Sequence, residues 1–374
     1  MDTREHIKSA KRIVVKVGTS TLLYDSGKLN LYRIEQLVRE LADLSSQGKE
    51  VILVSSGAIG AGVVRMGLAK RPAGVKEKQA LAAVGQGMLM HIYDKLFAEY
   101  GQVAGQVLLT RDNYVQHKQY NNSRNTLLTM LKMGVVPIIN ENDAVAVDEV
   151  KIGDNDNLSA MVAALVDADV LLILSDIDGV YTSNPAKDPD ATLIHEIAEI
   201  TPQIEQIAGG AGSDMGTGGM STKIEAAKIA TASGVTMCIA SGAEKDIIRR
   251  IVAGEQMGTV FPPKEAHLKA RKSWLAFGKR INGDIVVDEG CVKALKAGSS
   301  LLAAGIKHSE GEYNKDDTVR VLTQEYQEIA RGVVNFDAGI VQKIKGRKTE
   351  EFKALLTEDA PAEVIHRDNM VLMI

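Results

Sequence analysis

Gly153-Asp154-Asn155-Asp156-Asn157 sets two carboxylates and two carboxamides in four consecutive positions, directly before the apolar run Leu158 to Val166. One Asp or Asn there would cap a helix, because its side-chain oxygen accepts a free backbone N–H of the first turn. Four polar side chains are more than a cap needs. A second dense polar segment, Asn140-Glu141-Asn142-Asp143, closes the apolar run Val135 to Ile139. A strand ending in one polar cluster, followed by a helix opening with another, is how an open α/β sheet builds a small-molecule site at the carboxyl ends of its strands.

Four other clusters combine glycine with hydroxyl or charged groups: Lys16 to Ser20, Ser55 to Gly60, Ser175 to Tyr181 and Gly216 to Lys223. Backbone N–H groups left open by glycine and the positive end of a helix attract anions, and a nearby lysine adds a full charge. A single such loop more often only connects two elements. Here two of the four contain a lysine, and the carboxylate-rich cluster lies between them in sequence, so phosphate chemistry beside a polar ligand is indicated. The pattern GxxxxGK[ST] is absent, since Lys223 lies between Thr222 and Ile224. Neither the first turn nor Gly209 to Gly219 gives GxGxxG. A Walker-type loop is thereby excluded, and a dinucleotide site becomes a minor alternative.

These clusters need elements to hold them. Ile13 to Val17 reads as a buried strand; Ile34, Leu37, Val38, Leu41 and Leu44 then follow helical spacing, with Gly48 as a stop. Further strand-like runs are Val51 to Val54, Val103 to Leu109, Val135 to Ile139, Val170 to Leu174 and Val235 to Ala240. Near-continuous apolar strands alternating with helices predict an α/β fold: an open, mainly parallel sheet sandwiched by helices. After Pro262-Pro263 come Lys264, Lys269, Arg271 and Lys272, a solvated linker. Short runs at Asp284 to Val287, Thr318 to Leu322 and Ala330 to Val334 then predict a small β-rich domain. The expected boundaries are a first domain at 8–263, a linker at 264–278, a second domain at 279–358 and a C-terminal extension at 359–374.

The chain has 374 residues, 45% hydrophobic and 25% charged, with a net charge of −4. That length suggests two cores, and that charge gives no global attraction for nucleic acid or an anionic membrane. Cys238 and Cys291 match neither a disulfide framework nor a metal spacing, which suits a reducing cytosol. The charged start has no apolar core for export, and the longest apolar stretch, Leu158 to Leu174, is broken by Asp167 and Asp169. Membrane association is therefore not expected, and the location expected is cytoplasmic.

The motifs KVGTS at Lys16–Ser20, SSGAIGAG at Ser55–Gly62, NENDAV at Asn140–Val145, KIGDNDNLSA at Lys151–Ala160, SDIDGVYT at Ser175–Thr182 and GTGGMSTK at Gly216–Lys223 together resemble the amino acid kinase family. Within it they are most similar to the branch that phosphorylates free glutamate. The stretch from about Arg280, through GDIVVDEGCVKALKAGSSLLAAGI to IARGVV, resembles a PUA domain, a small β-barrel module best known in RNA-modifying enzymes. The order of kinase then PUA is characteristic of that same branch.

The resemblance implies transfer of a phosphoryl group from ATP to the γ-carboxylate of L-glutamate, giving γ-glutamyl phosphate, the first step of proline biosynthesis. A carboxylate is already a nucleophile at neutral pH, so no general base is required; the difficulty is bringing an anion to a polyanion, which calls for positioned cations. By resemblance, Lys16 and Lys223 are the catalytic lysines and Asp156 orients them. Ser56, Asp143 and Asn155 contact glutamate, with Asp143 suited to the α-ammonium and Ser56 to a carboxylate. Asp154 has two roles open to it, binding the amino group or capping the helix. ATP falls to Lys16, Ser175, Asp176 and the run Thr217, Gly218, Gly219, Met220, Ser221, Thr222 and Lys223. Mg²⁺ is expected to arrive on the ATP phosphates, with no protein ligand assigned. The resemblance further implies association of copies through the kinase domain, feedback inhibition by proline, and transfer of the product to glutamyl phosphate reductase.

Two other functions compete. An enzyme of the same fold could act on N-acetylglutamate or aspartate, but NENDAV with GDNDN matches the glutamate branch. An RNA-binding regulator would rest on the PUA-like part, where acidic side chains slightly outnumber basic ones and Lys343 to Lys348 is one local basic run. That balance argues against an RNA footprint.

Overall fold

In the computed structural model, which describes residues 2–110, 112–115, 117–145, 154–185, 187–208, 219–264, 281–353 and 361–373, the apolar runs become strands. They are β1 (Arg12–Val17), β2 (Glu50–Ser55), β3 (Val103–Leu109), β4 (Val135–Glu141), β5 (Val170–Ser175), the small hairpin β6 (Val180–Tyr181) and β7 (Leu193–Ile194), β8 (Thr236–Ser241) and β9 (Thr259–Phe261). Apart from the hairpin they form one sheet, ordered β3-β4-β2-β1-β5-β8-β9. All its pairings are parallel except that of β8 with β9. Apart from their ends, β1, β2 and β8 are buried throughout, and β5 is buried along its whole length, as a parallel sheet covered on both faces requires. β3, at the edge, is largely half-exposed.

Helices cover this sheet as the periodicity predicts. Leu31–Ser46 buries Ile34, Leu37, Val38, Leu41 and Leu44. It opens at Asn30, whose Oδ1 accepts from Arg33 N at 3.1 Å, and is followed by Gly48 at φ +83°. Two other helices, Ala58–Arg65 and the 24-residue Val75–Ala98, meet backbone to backbone. A Cβ on Gly62 would lie 2.0 Å from the Leu81 carbonyl oxygen, and one on Gly85 only 1.8 Å from that of Ala58. Past Gly57, whose left-handed φ of +91° starts the first of these helices, SSGAIGAG thus spends its last glycine on packing rather than on an anion.

The chain order positions the site. From β1 the chain builds outward through β2, β3 and β4, then returns to the other flank of β1 as β5. Strand order reverses at the β1/β5 junction, where an open α/β sheet leaves a crevice beyond its carboxyl edge. β1 therefore sits between the polar ends of β2 and β4 on one side and that of β5 on the other.

The second unit has its own core. β10 (Ile281–Val287), β11 (Ile306–Gly311), β12 (Thr318–Leu322), β13 (Glu328–Val333) and β14 (Met370–Leu372) form a sheet ordered β11-β10-β12-β13-β14. Ile285, Val287, Leu295, Val319, Val321, Ala330 and Val341 fill its interior. Internal contacts divide the chain into residues 1–268 and 269–374. The stretch read as an extension, 359–374, supplies β14, which pairs with β13 through Met370, Val371 and Leu372. Residues 265–278 of the expected linker lie outside the described residues, while Lys264 N still bonds Thr231 O at 3.0 Å. No helix among the described residues is long and apolar enough to cross a membrane.

Candidate active site

Asp156 is the centre of the site. It sits in the first turn of the helix Asn155–Leu165 and is 1% exposed. Its Oδ1 lies 2.6 Å from Lys16 Nζ, and its Oδ2 lies 3.2 Å from Lys223 Nζ and 3.0 Å from Thr222 Oγ1. Lys16 comes from β1 and Lys223 from the first turn of the helix Met220–Ala232; both are buried. Burial would push the Asp156 carboxyl up, but the two ammonium groups and Thr222 outweigh it and hold it below the usual carboxylate value. One carboxylate cannot neutralise two lysines. Asp154, whose carboxyl also feels Lys16, adds a second carboxylate nearby, so what the cluster offers an incoming phosphoryl group is two positioned ammonium groups in a poorly solvated place.

The residues expected to bind the nucleotide lie at a helix start and at the end of β5. Gly219 opens the helix Met220–Ala232 in extended conformation, without a side-chain cap, so Met220, Ser221, Thr222 and Lys223 form a first turn whose N–H groups suit an anion. Thr222 Oγ1 is also 2.8 Å from the Gly219 carbonyl oxygen. Ser175 closes β5, next to β1, and its hydroxyl donates to Asp176 Oδ1 at 2.9 Å. Thr217 and Gly218 lie outside the described residues, as does Gly153.

On the other flank, residues expected to bind the acceptor form a hydrogen-bonded group. Asn155 Nδ2 is 2.9 Å from both Ser56 Oγ and Asn140 Oδ1, and 3.3 Å from the Ser55 carbonyl oxygen. It thereby ties the helix start to the ends of β2 and β4. Asp143 lies in the turn just after β4, half-buried. Asp154 does cap the helix, its Oδ1 accepting from Asn157 N at 2.9 Å. Burial first, and the neighbouring Asp156 second, push the Asp154 carboxyl up to about 6. Glutamate-binding and capping were both open for Asp154 in the sequence; the cap is the role with geometry behind it.

Sequence reasoning missed two supporting residues. Gln86, from the helix Val75–Ala98, accepts from Asn140 Nδ2 through Oε1 at 2.9 Å. Tyr93, further along the same helix, has its hydroxyl 2.8 Å from Ser55 Oγ, and burial pushes that phenol up. Asn140 was visible only as part of a polar cluster. The signal was there: Ala82, Gln86, Leu89 and Tyr93 follow helical spacing, so Gln86 falls on an apolar stripe where a polar residue needs a buried partner.

The profile of the amino acid kinase family matches residues 11–241, and that of the PUA domain matches residues 283–356. The glutamate 5-kinase of Caldanaerobacter subterraneus subsp. tengcongensis is 52% identical over 363 residues, 97% of this chain and 98% of that one. That of Moorella thermoacetica is 48% identical over 373 residues, covering 100% of this chain and 99% of that one. Among solved structures, the UMP kinase from Bacillus anthracis aligns with a TM-score of 0.47 and 15% identity over 68% of this chain and 96% of that one. The chain belongs to the amino acid kinase family and, within it, to the glutamate 5-kinases that end in a PUA domain.

Proposed function

We propose that the chain transfers the γ-phosphoryl group of ATP to the γ-carboxylate of L-glutamate, forming γ-glutamyl phosphate for proline biosynthesis. The observation that carries this reading is the buried Lys16–Asp156–Lys223 cluster standing between a polar pocket at the ends of β2 and β4 and the phosphate-type helix start at Gly219. Lys16 and Lys223 stabilise charge on the transferring group, and Asp156 holds both in place without taking a proton. Ser56 and Asn155 receive glutamate, Asp143 pairs with its ammonium, and Asp154 fixes the helix that carries Asn155. The nucleotide rests on Ser175, Asp176 and the segment from Thr217 to Lys223.

Mg²⁺ fits this site as a companion of ATP. Both Asp156 oxygens already face ammonium groups, so its carboxylate is a poor direct ligand, and the phosphates and water fill the ion's shell. When bound, the ion neutralises phosphate charge and orients the γ-phosphoryl group. A cytoplasmic location, association of copies through the first unit, inhibition by proline and hand-over of the acyl phosphate to glutamyl phosphate reductase belong to the same proposal. The test is ATP turnover with L-glutamate, N-acetylglutamate, aspartate and carbamate, using hydroxylamine to trap an acyl phosphate. Hydroxamate should form with L-glutamate alone; equal or faster turnover of N-acetylglutamate would overturn the acceptor assignment.

A further inference from the structure

A carboxamide has a donor end and an acceptor end, and turning it over exchanges them. In the acceptor pocket two backbone groups remove that freedom. Glu141 N–H can only donate, and it lies 2.9 Å from the Asn140 side chain, which must therefore present Oδ1 there. The same Oδ1 faces Asn155, so Asn155 must present Nδ2, in agreement with the acceptor-only Ser55 carbonyl 3.3 Å from it. Asn140 Nδ2 is then left pointing at Gln86, which must offer Oε1. Asn140 is 3% exposed and Gln86 is 9% exposed, so neither amide has bulk water as a substitute partner.

This order decides what the pocket offers a ligand. Ser56 Oγ accepts from Asn155, which leaves the Ser56 proton free to donate to a carboxylate. Among the described residues none donates to Asn155 Oδ1, which stays an acceptor. We infer that Gln86 is a positioning residue for the acceptor: the backbone sets the polarity of the chain Asn140–Asn155–Ser56, and Gln86, as the buried acceptor of Asn140 Nδ2, fixes the Asn140 amide in the place where Asn155 and Ser56 meet an amino acid. This rests on the reading that Asn155 and Ser56 contact glutamate. Gln86 itself need not touch the substrate.

The test compares Gln86→Met, which keeps the length of the side chain and removes its acceptor, with Gln86→Glu, which offers an oxygen to Asn140 whether or not it is protonated. Steady-state hydroxamate formation is measured on the full chain with glutamate and ATP varied separately, after circular dichroism shows each variant folded. We expect Gln86→Met to raise the KM for glutamate about tenfold, the scale of one buried hydrogen-bond partner lost, with kcat and the KM for ATP within about twofold of wild type. Gln86→Glu should restore most of the glutamate affinity. If Gln86→Met does not fold, Gln86→Leu carries the same expectation. An unchanged KM for glutamate, an equal rise in both KM values, or a Glu variant as weak as the Met variant would each overturn the inference. A wild-type chain that makes no hydroxamate from L-glutamate would instead count against the functional reading.

Discussion

Asn155 and Asp156 are adjacent in sequence, yet their side chains serve opposite halves of the site. The Asn155 carboxamide bonds Ser56 and Asn140 at the ends of β2 and β4, while the Asp156 carboxylate joins Lys16 to Lys223. The two groups are thus held from residues one peptide bond apart, about 3.8 Å between Cα atoms. The helix behind them, buried from Asp156 to Leu165, gives that bond little freedom to move.

Replacing Lys16 or Lys223 with Ala should lower kcat about 100-fold or more, with a much smaller change in glutamate affinity, because their charge matters most in the transition state. It should also cost about 1.5–3 kcal/mol of stability near neutral pH, the scale of one hydrogen bond to a charged group, since Asp156 keeps the other lysine. The stability that the lysines give Asp156 is complete above the ordinary carboxylate value of 3.8 and is lost as pH falls through its lowered folded value, so the deficit should shrink only below pH 3.8. Hydroxamate kinetics, and denaturant unfolding at neutral pH and below pH 3.8, check both parts, and near-normal kcat in a folded variant would remove that lysine from the mechanism.

Asp143→Ala and Asn155→Ala should raise the KM for glutamate about tenfold or more while leaving that for ATP nearly unchanged. Asp143 follows β4 and the Asn155 side chain bonds Ser56 and Asn140 at the ends of β2 and β4, whereas Ser175 and Asp176 lie at the end of β5. Varying each substrate at saturating levels of the other gives the two constants. A fall in ATP affinity alone would mean the two flanks have been assigned the wrong way round.

Asp154 gives a pH prediction of unusual sign. Its folded-state value of about 6 exceeds the ordinary 3.8, so between these values the folded chain holds the proton more tightly than the unfolded chain does. The Asp154 contribution to stability therefore declines as pH rises through that window. Asp154→Asn keeps a capping oxygen but cannot ionise, so the stability of the variant relative to wild type should rise between pH 4 and pH 7 by roughly 1–3 kcal/mol. Asp154→Ala should sit about 1 kcal/mol below Asn because the cap is lost as well. Parallel unfolding curves across that range for wild type and the Asn variant would refute the assignment.

A chain ending near Lys272 should fold and phosphorylate glutamate, since every residue given a chemical role precedes that point and the contacts divide at residues 268 and 269. Circular dichroism and glutamate-dependent hydroxamate formation test this. A folded but inactive truncation would assign the second unit a part in holding the active site.

The sheet was largely legible because parallel strands buried on both faces leave unbroken apolar runs; Val51 to Val54 and Val170 to Leu174 fall within β2 and β5. What stayed hidden had no such signature. β9 and β14 are three residues long, and β11, Ile-Lys-His-Ser-Glu-Gly, buries only Ile306 and Ser309. The lysines and Asp156 were visible through their motifs, but their meeting at one carboxylate is a product of the fold, since Lys16 and Lys223 lie on different elements far apart in the chain. Gln86 was passed over because an isolated glutamine in a helix ordinarily points to water, and only the stripe it shares with Leu89 and Tyr93 marks it as buried.

The contact at Gly62 and Gly85 has a bearing on how variants of this chain would be misread. An added methyl group at Gly85 would strike backbone, which cannot rotate aside, so the helices Ala58–Arg65 and Val75–Ala98 would have to separate. Gln86 is the next residue along, and any such movement draws it away from Asn140. A Gly85→Ala chain would then present in an assay as a substrate-affinity defect, heat-sensitive and distant from every charged group. Its origin would be mechanical, a lever displaced at its fulcrum.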